Sequence, residues 1–93
     1  MPGVTIHLPS PLRKLVQGQR TVTVEADTVL SALLALNEYD SSMSRRILDS
    51  NGTDIRHFVR VFVNGRDIRT MGGPDVSLSE GSQINIVTAF AGG

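Results

Sequence analysis

The stretch that most limits what this chain can fold into is residues 58–63, where five of six side chains are β-branched or aromatic. Both faces of this stretch are apolar except at Arg60, which is typical of a central strand in a sheet. Asn64 and Gly65 follow at once, and both residue types tolerate the positive φ angles of a tight hairpin turn. The sequence therefore predicts a central strand that turns back into a short strand over residues 66–69.

Three other segments alternate apolar and polar side chains with the period of a strand. They are residues 4–8, 20–25 and 82–88. The first two predict a hairpin with Gly18 and Gln19 in the connecting turn, and the last predicts Ile84 and Ile86 as buried residues. Together with the hairpin at residues 58–69, these segments predict a sheet of four to five strands.

One segment has the period of a helix. Residues 29–39 carry apolar side chains three and four positions apart, and Asp27 or Thr28 is predicted to cap the start of the helix. The predicted buried side consists of Val29, Leu30, Leu33, Leu34 and Leu36. A short helical turn is predicted around Met43 and Ile47. Because a helix this apolar is expected to cover a sheet, the predicted fold class is α+β, a β-grasp arrangement in which a mixed sheet packs on one main helix.

Composition excludes several functions. Nine Lys and Arg balance nine Asp and Glu, whereas a generic nucleic-acid or membrane-surface binder would carry a basic excess. The chain has no cysteine, which excludes disulfides, thiolate metal sites and a cysteine nucleophile. His7 and His57 lack partners at metal-ligand spacing, so no metal site is predicted. No segment is apolar over the roughly 20 residues that a membrane span needs, and a cytoplasmic location is expected.

The last seven residues form an uncharged, largely apolar segment that ends in Ala91, Gly92 and Gly93. We predict that residues 1–88 form the β-grasp domain and that residues 89–93 form a flexible tail. The small side chains would let the tail pass through a narrow enzyme channel and present the α-carboxylate of Gly93. Adenylation by ATP would convert this carboxylate to a mixed anhydride, from which sulfide or a persulfide would displace AMP. The expected product is a thiocarboxylate.

Four segments of the chain form a combination that is specific when taken together. They are the opening strand with Leu12 and Arg13 after it, the helix start at residues 27–29, the hairpin at residues 58–69, and residues 80–87 running into Ala91, Gly92 and Gly93. With these segments the chain resembles the MoaD/ThiS family of ubiquitin-like sulfur carriers over essentially its whole length, and it is closest to the CysO type. The resemblance implies a non-enzymatic carrier that delivers sulfur for cysteine synthesis from O-phosphoserine, or for a sulfur-containing secondary metabolite.

The resemblance also implies partner proteins. An E1-like adenylyltransferase of the MoeB/ThiF type, in some cases with a rhodanese domain, would activate Gly93 and use the ATP, so no cofactor is expected on the chain itself. A sulfur-accepting synthase would then take the sulfur. In the CysO route a metalloprotease would release cysteine from the carrier. Neither nucleic acid nor a membrane is expected as a partner.

A docking surface on the exposed face of the sheet, beside the tail, is a further implication of the resemblance. Phe62 and Val87, expected side by side on paired strands, and Phe90 beyond the last strand are the predicted apolar contacts. Arg60 is a candidate partner for an acidic side chain. The alternatives are that Phe62 and Val87 face the helix as core residues, and that Arg60 is a solvated surface charge.

Three other functions fit the same residues. A ubiquitin-like modifier would use the activated Gly93 to form isopeptide bonds with lysines, which gives conjugates of higher mass. The small subunit of a synthase, such as molybdopterin synthase, would donate the same tail from within a stable complex. A plain β-grasp interaction domain would have an inert tail, so deleting Gly92 and Gly93 would change nothing.

Overall fold

The computed structural model describes residues 1–88 of the 93-residue chain. The strands are β1 (Gly3–His7), β2 (Thr21–Glu25), β3 (Val59–Val63), β4 (Arg66–Asp67) and β5 (Gln83–Thr88). The α-helices are α1 (Ser10–Arg13), α2 (Val29–Ala35) and α3 (Met43–Ile47). Single turns of 3-10 helix cover Lys14–Val16, Leu36–Glu38 and Ile68–Thr70. Within the described residues, no helix has the length and apolar character needed to cross a membrane.

The five strands form one mixed sheet in the order β2-β1-β5-β3-β4. β1 and β5 run parallel, whereas the other neighbouring strands are antiparallel. Ile6 lies opposite Val22 on one side and opposite Ile84 on the other, and Ile86 lies opposite Val61. The strand β5 therefore lies at the centre of the sheet, with a hydrogen-bonded neighbour along both of its edges.

The core lies between one face of this sheet and the helices α2 and α3. Every second strand residue is buried, which is why the sequence alternates there. Ile6 and Ile84 from the sheet and Leu33 from α2 are all fully buried. The predicted inward orientation of Ile84 and Ile86 is confirmed, as is the short helix around Met43 and Ile47. The predicted mixed sheet on one main helix is thus the observed arrangement.

The buried stripe of α2 differs from the predicted one by part of a turn. Its buried residues are Val29, Ala32, Leu33 and, in the following 3-10 turn, Leu36. These positions follow the three-and-four spacing of a single helix face. The prediction of Leu34 as buried is wrong, because this residue points away from the sheet and is 44% exposed. Leu30 is half-buried and packs against the edge of the core.

The connection between β1 and β2 is more structured than a simple hairpin turn. It contains α1 and a 3-10 turn, whose Leu12 and Val16 are buried in the core. Gly18 and Gln19 lie at its end, and Gly18 takes a φ of +81°. The two strands are nevertheless antiparallel neighbours, so the predicted pairing is confirmed.

The hairpin at residues 58–69 is confirmed at its turn and shorter than predicted in its second strand. Asn64 and Gly65 take φ angles of 51° and 88°, as the tight turn requires. The returning strand ends at Asp67, because Ile68 turns into the core in a 3-10 helix instead of continuing the sheet. The carboxylate of Asp67 caps that turn by accepting a hydrogen bond from the amide of Arg69.

Thr28, rather than Asp27, is the residue that caps α2. Its Oγ1 accepts a hydrogen bond from the Ser31 amide at 3.2 Å, and its own amide donates to the Ser31 Oγ at 3.1 Å. We expect Thr28→Ala to lower the free energy of unfolding by about 1 kcal/mol, because the helix loses this acceptor. Thr28→Ser keeps the hydroxyl and is the matched control. Equilibrium urea denaturation measures both, and equal stabilities for the two variants would contradict the capping role.

Candidate functional site

The end of β5 fixes where and in which direction the chain leaves the sheet. Thr88 is the last described residue, and it lies opposite Val59 of β3. The pairing of β5 with β1 ends at Asn85, so the position of Thr88 is set by its pairing with β3. Phe90, Ala91, Gly92 and Gly93 lie outside the described residues, so their predicted roles, and the predicted tail at residues 89–93, stay predictions.

The face of the sheet opposite the helices is open. Its residues are exposed or half-buried, and most of them are polar. Across the sheet from β2 to β3, the residues on this face include Thr23 on β2, Thr5 on β1, Asn85 and Val87 on β5, and Arg60 and Phe62 on β3. An apolar residue on this face contributes little to the core and is available to a partner.

Phe62 and Val87 both lie on this open face. Phe62 is half-buried and sits opposite Asn85, and Val87 is 46% exposed and sits opposite Arg60. The two apolar side chains are therefore diagonal neighbours on paired strands rather than directly opposed. Neither faces the helix, so the alternative placing them in the core under α2 does not describe this structure. Their predicted docking role stays a prediction.

Arg60 lies on β3, two residues before Phe62 and opposite Val87. Its Nη1 lies 4.0 Å from Oδ2 of Asp67, and 56% of its side chain is exposed. An exposed ion pair at this distance contributes little, so the guanidinium keeps most of its capacity for another acidic group. The other oxygen of Asp67 already accepts the Arg69 amide hydrogen bond.

Two surface hollows flank the point where the chain leaves β5. One, of about 400 Å³, is bordered by Lys14, Arg45, Arg46, Arg56, Phe58 and Thr88. The other, also about 400 Å³, is bordered by His7, Arg13, Asn85, Val87 and Thr88. Both hollows are bordered by Pro11 and by Thr88, the last described residue of β5. No local sequence pattern predicts this cluster of basic residues, because its members come from segments far apart in the chain.

The histidines and carboxylates of the described residues are dispersed. Residues 1–88 contain no group of three His, Asp or Glu side chains that is arranged to hold a metal ion. His7 instead has its Nε2 within hydrogen-bond distance of Gln83 Oε1, at 2.7 Å, on the open face of the sheet. The geometry of the site is that of a surface around a chain exit, bordered by apolar and cationic side chains.

Comparison with known proteins places this geometry in context. The model of the ThiS family matches residues 6–93. The sulfur carrier protein CysO of Mycobacterium tuberculosis is 33% identical over 92 residues, covering 98% of this chain and 99% of that protein. A chain in the crystal structure of the Amycolatopsis orientalis BexX/CysO complex superposes with a TM-score of 0.87 at 28% identity, covering 97% of this chain and 99% of that chain.

A more distant structure shares the fold. The small archaeal modifier protein SAMP1 of Haloferax volcanii superposes with a TM-score of 0.78, covering 98% of this chain and 99% of that chain, at 23% identity. This likeness shows the fold alone. Together with the CysO structure, it confirms the β-grasp prediction made from the strand and helix pattern.

Proposed function

This chain belongs to the ThiS family and is a CysO-like sulfur carrier protein, and on that premise we propose that its sulfur is carried as a thiocarboxylate of Gly93. The observation that carries the proposal is the family match, which extends through Gly93 and so includes the terminal glycine pair. In this proposal an E1-like enzyme adenylates the Gly93 carboxylate. The thiocarboxylate formed from it then donates sulfur to an acceptor enzyme.

The chemistry needs one activated carboxylate and one sulfur nucleophile. A Gly93 carboxylate oxygen attacks the α-phosphate of ATP, so that pyrophosphate leaves and an acyl-adenylate forms. Sulfide then attacks the acyl carbon, the bond to the AMP oxygen breaks, and the thiocarboxylate remains. The chain supplies the reacting carboxylate, whereas ATP binding and both displacements belong to the partner. In this sense the carrier is a cosubstrate and not a catalyst.

Similarity to CysO also supports a proposal for the acceptor of the sulfur. Likeness to CysO supports delivery for cysteine synthesis from O-phosphoserine, with a metalloprotease releasing the product. The CysO chain in the Amycolatopsis orientalis structure is in complex with a second protein, BexX. This supports a carrier that docks on separate partners, which for this chain would be a MoeB/ThiF-type enzyme and a sulfur-accepting synthase. A sulfur-containing secondary metabolite is the other destination considered.

Incubation with an E1-like adenylyltransferase, ATP and sulfide tests the proposal. We expect the intact mass of the chain to change by the replacement of one oxygen with sulfur, with one AMP released for each chain loaded. Omitting ATP is the control and should leave the mass unchanged. Conjugates of much higher mass, formed through amide bonds to lysines, would instead make the chain a protein modifier.

The open face beside the exit is the proposed docking surface for these partners. We expect Val87→Glu to raise the KM of the activating enzyme for this carrier about tenfold, equivalent to about 1.4 kcal/mol, because a charge replaces an exposed apolar contact. Thr23→Glu is the matched control, since Thr23 is exposed on the same face but lies on the edge strand β2. Thermal denaturation checks that both variants are folded. Equal KM values for the two variants would contradict this docking surface.

A further inference from the structure

One of the two hollows beside Thr88 is bordered by an unusual concentration of basic side chains. Four cationic side chains border it, those of Lys14, Arg45, Arg46 and Arg56. The second hollow at the exit adds Arg13. Five of the nine basic residues of the chain therefore surround Thr88, and among the described residues no Asp or Glu borders either hollow. We call the first of these the cationic hollow.

Its cations are brought together from three segments, and hydrogen bonds hold two of them. Arg56 precedes β3 and donates from Nε to the backbone oxygen of Arg45 at 2.9 Å. Arg46 donates from Nε to the Ser42 hydroxyl at 3.3 Å. Lys14, from the 3-10 turn after α1, reaches the same hollow and is exposed. Like charges at one surface repel each other, and an anionic partner that covers them would turn this repulsion into attraction.

The described residues supply little internal compensation for this charge. The one ion pair within 4.0 Å in residues 1–88 joins Arg60 to Asp67, neither of which borders the cationic hollow. Asp40 is an acidic residue that interacts electrostatically with Arg46 and Arg45. Its pKa is lowered mainly by hydrogen bonds from the Ser42 hydroxyl and amide, and further by these two arginines. One carboxylate near two arginines leaves a net positive charge.

Two acidic residues, Glu25 and Glu80, lie at the opposite end of the sheet, where β1 begins. Glu25 and Glu38 border a hollow beside Met1. The carboxylate of Glu80 accepts a hydrogen bond from the Gly3 amide at 2.7 Å. Gly3 begins β1 and Thr88 ends β5, and these two strands run parallel. The formal net charge of zero therefore hides an uneven distribution, in which five basic residues border the two hollows next to Thr88, where β5 ends.

We propose that the cationic hollow docks an acidic surface patch on the activating enzyme, next to the channel that takes up residues 89–93. This inference rests on the proposed function. Thr88 borders the hollow, so an enzyme that receives the residues after Thr88 contacts these cations. Carboxylates are the groups that compensate buried cations, and a charged patch at the point of entry also speeds encounter in the correct orientation. Phe58, 41% exposed in the same hollow, supplies the apolar contact.

Charge reversal with a matched control tests this inference. The test variant carries Lys14→Glu and Arg45→Glu, both at exposed positions in the cationic hollow. The control carries Arg66→Glu and Arg69→Glu, which change the net charge by the same amount at exposed positions that border neither hollow. The steady-state rate of AMP release by the activating enzyme is measured against carrier concentration at low and high salt.

We expect the test variant to raise KM at low salt by about tenfold or more, with kcat within about twofold of wild type, because docking and not chemistry is affected. The wild-type KM should rise with salt, and the KM of the test variant should hardly change. The neutral pair Lys14→Gln and Arg45→Gln should show a smaller rise in the same direction. Thermal denaturation of each variant checks that it is folded.

The outcomes separate this inference from the proposed function. Normal loading with an unchanged KM, or an equal rise in the control pair, would overturn the docking inference alone. Failure of every activating enzyme to load the wild-type chain would overturn both. If wild-type chains associate in sedimentation experiments and the test variant does not, the cationic hollow binds acidic residues of a second copy, and the inference is again overturned.

Discussion

Deletion of Gly93 is expected to abolish formation of the thiocarboxylate. The deletion leaves a carboxylate on Gly92, but it shortens the reach of the chain from Thr88 by about 3.3–3.6 Å. Reacting atoms in an enzyme tolerate far less displacement, since about 1 Å of misplacement can cost on the order of 100-fold in rate. The rate of loading, measured by intact mass over time with an activating enzyme, ATP and sulfide, should fall below detection.

The matched variant is Gly93→Ala, which keeps the length of the chain and its carboxylate but adds a Cβ. We expect it to load more slowly than wild type and faster than the deletion variant, because only the fit of the channel is changed. Urea denaturation of each variant checks that it is folded. Loading of the deletion variant at the wild-type rate would show that the position of the carboxylate does not matter.

Replacement of Leu33 by alanine is expected to cause the largest loss of stability among the variants considered. Leu33 is fully buried between α2 and the sheet. Truncation of such a leucine costs about 2–5 kcal/mol, through lost transfer free energy and the cavity that remains. That is a large part of the roughly 5–15 kcal/mol by which a small domain is stable. Equilibrium urea denaturation followed by circular dichroism measures the effect.

The adjacent Leu34 provides the matched control for this prediction. It has the same side chain in the same helix but is 44% exposed. Leu34→Ala should change the free energy of unfolding by less than about 1 kcal/mol, because little apolar area leaves water on folding. Equal losses for the two variants would mean that the assigned face of α2 is wrong.

The pair Leu33 and Leu34 also shows where sequence reasoning reaches its limit for this fold. Spacing alone predicts a helix there, but adjacent leucines fit two overlapping apolar stripes, and packing decides which is buried. Ala32 completes the buried face, whereas Leu34 is exposed. By contrast, Asn64 and Gly65 predict their turn directly, since the required φ angles restrict the residue types.

In the candidate site too, some features follow from local sequence and others only from the tertiary fold. Strand alternation predicts that Phe62 shares a face with Arg60, because the side-chain period of a strand is two, but it leaves open whether that face is the open one or the one under the helix. The register and burial in the folded sheet place Phe62 and Val87 on the open face. No local pattern predicts the cationic hollow. Lys14, Arg45 and Arg56 border one hollow only because the 3-10 turn after α1, helix α3 and the segment before β3 converge beside Thr88. Contacts of this kind depend on the tertiary fold, which periodicity does not specify.

The most direct test of the central claim is to locate the sulfur within the loaded chain. The wild-type protein is loaded with an activating enzyme, ATP and sulfide, then fragmented and measured by mass spectrometry. We predict that one oxygen is replaced by sulfur in the fragment that ends at Gly93, and that every fragment within residues 1–88 is unchanged. Sulfur found elsewhere, or no change with several enzymes that are each active on another carrier, would contradict the claim.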